Sequence, residues 1–358
     1  MSEDYSTIAE GIQSHPYFGS LQTILDCPEK TVRGKTVKDK ILFREDPFRT
    51  HSTRISTVRA QRQNNTKKRP LETGLEEDLD EEVTPCNFCP PQIWDETTEP
   101  RIVHDRLRRG SFVPVTFQNL YGIDEISMIT VFAEHKTKLI DLTFDDLVCY
   151  LETLYDTAQF LKEKYSARNV WDFVNWGFLA GASQEHPHAQ RGTGPFKDTL
   201  SQKEAKYAAG YAYETGERFF EKYLGAIRDS PYLIWEEPEK DDLLICAPFA
   251  PRFPHQVDLI PKKRIRHVLE LKDPDQRIRM ARSMLGVLHA LYQNLGVTDV
   301  NIALHQEFFD IMGNFRMHWH IYPRNLNTLA GFELGHEGYV VNKFPEETAD
   351  VLRSYYHR

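Results

Sequence analysis

The chain has 358 residues, 40% hydrophobic and 12% aromatic, enough to bury a substantial core and to divide into two or three domains. A formal charge of -9 argues against a nucleic-acid partner held by phosphate neutralisation, while leaving room for a locally basic pocket around a small anion. No basic start leads into an apolar segment and no run of about 18 apolar residues occurs, so a cytoplasmic protein without a membrane partner is expected.

Residues 1 to about 40 read as mixed helix and turn without strong periodicity. The stretch KILFREDPFRTHSTRISTVRAQR then holds a short strand, ISTV, followed directly by Arg59 and Arg62. Guanidinium groups offer paired donors to phosphate oxygens, so these two are either polyphosphate contacts or ordinary surface arginines. Residues 64–82 run from basic to acidic and bury little, as a surface loop would.

Five cysteines fit a reduced compartment, and only Cys86 and Cys89 are spaced to act together. A C-x-x-C is a redox couple or half of a tetrahedral zinc site. The PPQ that follows does not look like the start of a helix, as a thioredoxin-type motif requires, which favours metal.

SFVPVTFQNLYG and SMITVFAEH read as strands around a turn. TFDDLVCYLETLYDTAQFLKEKY reads as a helix, with apolar positions 144, 147, 151, 154, 158 and 161 at the spacing of a buried stripe and Thr143 with Asp146 as an N-cap signal. VWDFVNWG supplies another strand, and HPH follows. The second half repeats this order: LLICAPFA and HQVDLIPK as strands, a helix with apolar positions 278, 281, 285, 288, 292 and 295, then DVNIALHQEF and RMHWHIYPR. Strand, strand, helix, strand and H-x-H thus occur twice. An ancestral duplication with an antiparallel sheet backed by helices accounts for it.

If GFLAGASQEHPHAQ ends in extended chain, the period of two puts His186, His188 and Gln190 on one face. A neutral imidazole can attack an electrophile unaided and leaves well once phosphorylated, so it can split a displacement at phosphorus into two steps. Gln190 has an amide donor and acceptor with which to steady a phosphoryl oxygen. Paired histidines also occur as surface or metal-binding residues. Cys86, Cys89, His135 and His186 would close a structural zinc site and pin the loop carrying His188. Glu204, His305, His318 and His320 form a second set suited to zinc or ferrous iron. A buried polar cluster without metal, or a second nucleophile among the MHWH histidines, are the alternatives there.

From about residue 50 to 340 the chain resembles the galactose-1-phosphate uridylyltransferases, a two-copy family of the histidine-triad superfamily. The resemblance rests on RAQR, on CNFC, on the His of VFAEH, and on NWGFLAGASQEHPHAQ, which matches the family's long histidine segment residue for residue. It implies that Arg59 and Arg62 contact phosphate and that Asn175, Ser183 and Gln190 line the phosphate site. It further implies that His186 binds zinc and that His188 is the covalent nucleophile. Glu204, with His305, His318 and His320, resembles the family's second metal site. FQNLYG has Asn119 followed by Leu120 where members read N-D near the nucleotide. The tyrosine-glutamate pair near the hexose stands here as Phe332 and Glu333, and a sugar-contacting glutamine is replaced by Tyr339. Losing a built hydrogen bond alters substrate discrimination strongly.

The expectation is therefore an α+β fold of two duplicated histidine-triad-like units, each a mainly antiparallel sheet with a packed helix. The boundaries are 1–49 for an N-terminal extension, 50–204 for the unit with the zinc site and nucleophile, and 205–358 for the second unit. The expected enzyme moves a nucleoside monophosphate, UMP by resemblance, between a nucleotide sugar and a sugar 1-phosphate through a nucleotidyl-histidine. Structural zinc, a second zinc or ferrous ion, and a homodimer accompany it. The alternatives are a nucleoside-diphosphate-sugar or dinucleoside-polyphosphate phosphorylase and a non-enzymatic nucleotide-binding module.

Overall fold

The computed structural model describes residues 11–26, 30–32, 35–37, 40–56, 86–195, 199–236, 238, 242–324 and 330–356. Arg59, Arg62, the tail of ISTV and the charged stretch 64–82 lie outside these residues. In chain order the first strands are β1 (Gln22–Asp26), β2 (Lys30–Val32), β3 (Lys35–Val37), β4 (Lys40–Asp46) and β5 (His51–Ser56). They are followed by α1 (Ile93–Glu96), β6 (Arg101–Val103), β7 (Val115–Gln118), β8 (Ile126–Val131), the long helix α2 (Phe144–Tyr165), β9 (Trp171–Trp176) and β10 (His188–Thr193). Helices α3 (Thr199–Thr215) and α4 (Phe219–Arg228) lead into β11 (Leu233–Glu236), β12 (Leu243–Cys246) and β13 (Val257–Pro261). Last come α5 (Pro274–Leu295), β14 (Val300–His305), β15 (His318–Pro323), α6 (Gly331–His336), β16 (Gly338–Val341) and α7 (Pro345–Tyr356). None of the described helices is long and apolar enough to cross a membrane.

Ten strands form one antiparallel sheet in the order β11-β12-β13-β15-β14-β9-β10-β8-β7-β6. The order reads alike from both edges: outer strand, two more in chain order, then the fifth strand, then the fourth. The two halves meet where β14 pairs with β9, and each long helix follows the third strand of its half. This is the mixed α+β architecture expected.

Helix α2 starts where the sequence marks it. Thr143 Oγ1 accepts from the Asp146 backbone N–H, and Asp146 Oδ2 accepts from the Thr143 N–H at 2.8 Å, a closed capping box. Its buried stripe holds Leu147, Leu151, Leu154, Ala158 and Leu161. Of the expected α5 stripe, Ala281 and Leu288 are fully buried, but Met280, Met284, Val287 and Leu291 are buried beside them, while Leu285, Tyr292 and Leu295 are only partly covered. The broadening has a cause: α5 packs against α2 on one side and α7 on another, so its apolar face is wider than one stripe.

Both long helices lie on one face of the sheet, over Val174, Trp176, Ala189, Ile302, Leu304, Trp319 and Ile321. The opposite face of the second half is closed by α3 and α4 through a cluster including Phe219, Phe220, Leu244 and Ile260. In the first half it is covered only in part, by Phe88 and Ile93 over Val115, Phe117 and Val131. That gap is where the first histidine pair opens.

The first 40 residues are not mixed helix and turn throughout. Strand β1 pairs with β4, and the order β1-β4-β5-β16 makes a second, four-stranded sheet closed by the C-terminal strand in parallel. Single apolar residues such as Ile24 and Leu42 satisfy this edge packing, which is too short to print a period in the sequence.

Candidate active site and metal centres

His188 opens β10 opposite Val131, and Gln190 stands opposite Ile129 on one side and Phe173 on the other. Residues directly opposed in antiparallel strands share a face, so both project away from the helices, toward Phe88, Phe117 and Ile129. The His188 Nδ1–H donates to the His186 carbonyl at 2.8 Å, and among the described residues no group bonds its Nε2. Burial lowers the imidazole below its ordinary pKa and so keeps it neutral, with the His186 carbonyl working the other way. The ring lines a cleft of about 370 Å³ together with Asn119, Ser183, Gln184 and Gln190, with Phe88, Phe117 and Ile129 as its apolar wall. A neutral imidazole with one nitrogen committed and the other open can act as a nucleophile.

Beside it, Cys86, Cys89, His135 and His186 bring one donor atom each to within 4.8 Å of one another. His186 Nδ1 lies 3.6 Å from Cys86 Sγ and 3.5 Å from Cys89 Sγ, and His135 Nδ1 lies 3.5 Å from Cys89 Sγ. Metal–sulfur and metal–nitrogen bonds of about 2.3 and 2.05 Å at tetrahedral angles give edges of about 3.6 Å. The donor set therefore fits a closed four-coordinate ion. His186 Nε2–H donates to the Ala133 carbonyl at 2.8 Å, which fixes the tautomer that turns Nδ1 to the cluster.

The second cluster, Glu204, His305, His318 and His320, is buried throughout. His305 Nδ1 lies 2.7 Å from Glu204 Oε2, while His318 Nε2, His320 Nε2 and Glu204 Oε1 find no hydrogen-bond partner among the described residues. Orphaned buried atoms converging on one point are what a metal ion would satisfy. Against the upward pull of burial, His305 and His318 hold Glu204 well below the usual carboxylate range. Burial pushes His320 down to about 3, although Asp258 Oδ1 sits 2.6 Å from its Nδ1. Arg49 joins the set at 2.6 Å from Asp258 and 3.5 Å from Glu204.

His318 copies the backbone bond of His188, its Nδ1–H donating to the Arg316 carbonyl at 2.9 Å. Yet Phe48, Phe220 and Phe315 pack around its ring and leave it fully buried. No space for a reacting phosphate remains there, which removes it as a second nucleophile.

Asn175 adjoins Val174, the partner of Ala189, and accepts at Oδ1 from Asn301 Nδ2 at 2.8 Å. Phe332 and Glu333 do not line the His188 cleft. Phe332 is 40% exposed, with the Arg54 guanidinium 5.1 Å from its ring centre, and Glu333 caps α6 by accepting from the Ala330 N–H. Sequence reasoning missed Arg49, Asp258, Gln184 and the wall residue Phe88. A lone aspartate inside the apolar run VDLIP was the available signal for Asp258. The aromatic wall carries no signature distinct from core.

No protein-family model matches the chain. In sequence the chain is homologous, at modest identity, to galactose-1-phosphate uridylyltransferases and to ADP-glucose phosphorylase. It is 26% identical to the ADP-glucose phosphorylase of Arabidopsis thaliana over 213 residues, 58% of this chain and 57% of that protein's length. It is 25% identical to the galactose-1-phosphate uridylyltransferase of Thermotoga maritima over 244 residues, 65% of this chain and 74% of that one. The fold is shared with a crystal structure of the Arabidopsis ADP-glucose phosphorylase with bound ADP-glucose, at TM-score 0.70 and 21% identity, covering 87% of this chain and 98% of that one.

Proposed function

We propose that the chain is a nucleoside-diphosphate-sugar phosphorylase that works through a nucleotidyl-histidine at His188. The observation that carries this is the His188 ring itself: Nδ1 tied to the His186 carbonyl, Nε2 open to a cleft with an apolar wall and a polar rim. Nε2 attacks the α-phosphorus, the bond to the sugar 1-phosphate oxygen breaks, and the sugar 1-phosphate leaves as an anion. An oxygen of inorganic phosphate then attacks the same phosphorus. The P–N bond breaks, a nucleoside diphosphate departs, and neutral His188 is restored. In this reading Gln190, Ser183, Asn175, Arg59 and Arg62 hold phosphoryl oxygens, while Asn119, Phe88 and Phe117 line the nucleoside side.

The similarity to ADP-glucose phosphorylase favours inorganic phosphate over a second sugar 1-phosphate. A uridylyltransferase is the second reading, supported by the similarity to those enzymes. Zinc at Cys86, Cys89, His135 and His186 would be structural, since four protein donors leave no open position. Zinc or ferrous iron suits Glu204 and its three histidines. The palindromic strand order supports reading 50–204 and 205–358 as copies of one histidine-triad-like unit. A homodimer would give Phe332 and Glu333 a role in the other subunit's site.

The test uses ADP-glucose and UDP-glucose labelled at the α-phosphorus. Label is expected on the protein and absent from His188→Ala. Inorganic phosphate is expected to release it as nucleoside diphosphate faster than glucose 1-phosphate or galactose 1-phosphate does. Release by a sugar 1-phosphate alone would establish the transferase instead, and label retained by His188→Ala would remove the nucleophile.

A further inference from the structure

Asn175 has an amide that can present either a donor or an acceptor, and the residues behind it decide which. Its register partner on β14 is Asn301. On one side of Asn301 the Ala180 carbonyl, 2.8 Å from Nδ2, can only accept. On the other the Arg324 guanidinium, 3.1 Å from Oδ1, can only donate. Asn301 is therefore held in one orientation by two groups of fixed sign, and its remaining Nδ2 hydrogen meets Asn175 Oδ1 at 2.8 Å. With Oδ1 engaged as acceptor, the Nδ2 hydrogens of Asn175 are left for another partner.

The face on which they act follows from the ladder. Phe173, two residues before Asn175, is paired with Gln190, so Asn175 shares the sheet face of Gln190 and His188. We propose that Arg324 and Asn301 are positioning residues that make Asn175 a dedicated donor to a phosphoryl oxygen at His188, an inference that rests on the nucleotidyl-transfer reading. The polarity runs in one direction, from guanidinium to amide to amide to phosphate. The same segment also holds the turn before Ser183: Asp299 Oδ1 accepts from the Leu179 N–H at 2.9 Å. It approaches Gly177 so closely, at φ +86°, that a Cβ there would meet the carboxylate at 2.2 Å. The second half of the sheet thereby orients groups that serve the nucleophile of the first.

Asn301→Asp tests this with little change of shape. Aspartate keeps the Arg324 contact but offers only acceptors, giving up the bond to the Ala180 carbonyl as well, so Asn175 must turn its Nδ2 toward position 301 and present Oδ1 to the phosphate. In single-turnover labelling with whichever of ADP-glucose or UDP-glucose labels the wild-type protein, the rate constant is expected to fall on the order of 100-fold, the loss typical of one lost donor to a reacting oxyanion. KM is expected to move far less. The deciding readout is a double-mutant cycle. On an Asn175→Ala background, Asn301→Asp is expected to cost less than about threefold, because the group it acts through is already gone. Asn301→Ala, which removes the orienting donor without adding charge, is expected to give a smaller loss with the same non-additivity. Losses that multiply in both cycles would mean that Asn301 acts through packing, and would overturn the proposal. No label on the wild-type protein would overturn the transfer reading itself, and this inference with it.

Discussion

His186 and His188 are separated by one proline, yet their rings carry opposite hydrogen-bond assignments. His186 gives Nε2 to the Ala133 carbonyl and turns Nδ1 to the two cysteines, whereas His188 gives Nδ1 to the His186 carbonyl and keeps Nε2 for the cleft. Two backbone carbonyls thus leave Nδ1 of one imidazole to the cysteine cluster and Nε2 of the other to the cleft. The division predicts two separable phenotypes. His188→Ala is expected to leave bound metal unchanged while abolishing labelling, because its ring is outside the four-residue cluster; losing its packing on Phe88 lowers Tm far less than losing the metal does. Cys86→Ser is expected to remove one metal ion per chain and to lower Tm, and labelling then falls indirectly, since His186 no longer anchors Pro187 and His188. Metal analysis by mass spectrometry together with a thermal melt separates the two; unchanged metal content in Cys86→Ser would refute the four-ligand site.

At the scale of elements, α2 shows what a sequence can state. Thr143 and Asp146 form the cap that their spacing announces, and removing the hydroxyl in Thr143→Ala is expected to cost about 1 kcal/mol, read as a lower denaturation midpoint with no change in labelling. The two histidine clusters were legible for a related reason. Metal ligands and strand faces follow fixed spacings, so His186, His318 and His320 could be grouped before any coordinates. What stayed hidden depends on neighbours distant in sequence. The α5 stripe, which includes the fully buried Ala281 and Leu288, was drawn too narrow because α7, from the far end of the chain, covers a second side of that helix. Asp258 and Arg49 join the second cluster across 209 residues, a separation that no local period encodes. The aromatic filling around His318 comes from three separate segments, so only the fold shows that this ring is closed in while that of His188 borders a cleft. Asn301, too, reads as an ordinary strand residue until its two single-role partners are seen.

Across the whole molecule, the small sheet is joined to the rest by buried polar groups. Arg44, fully buried, meets Glu346 of α7 at 2.5 Å and the Phe249 carbonyl at 3.1 Å. Nearby, His51 of β5 bonds the Ala250 carbonyl through Nε2 at 2.8 Å, and His255 Nδ1 lies 3.0 Å from Thr348 Oγ1 on α7. Burial pushes both imidazoles down to about 4, against the ordinary 6.5. Below about pH 6.5 the unfolded chain therefore binds protons that the folded chain refuses, so stability falls as the pH drops from 6.5 toward 4. Each ring, fully expressed, contributes on the order of 3 kcal/mol to that fall. Burial also lowers His186, to about 4, and His320, to about 3, so the slope of the wild-type protein alone does not isolate the joint. His51→Gln keeps an amide donor for Ala250, and His255→Asn tolerates the left-handed backbone at φ +62°; neither can take up the proton. The double variant is expected to match the wild-type Tm at pH 7.5 within a few degrees and to lose less of it by pH 5. Parallel Tm-against-pH curves would show that these two rings do not hold the small sheet in its neutral, buried arrangement.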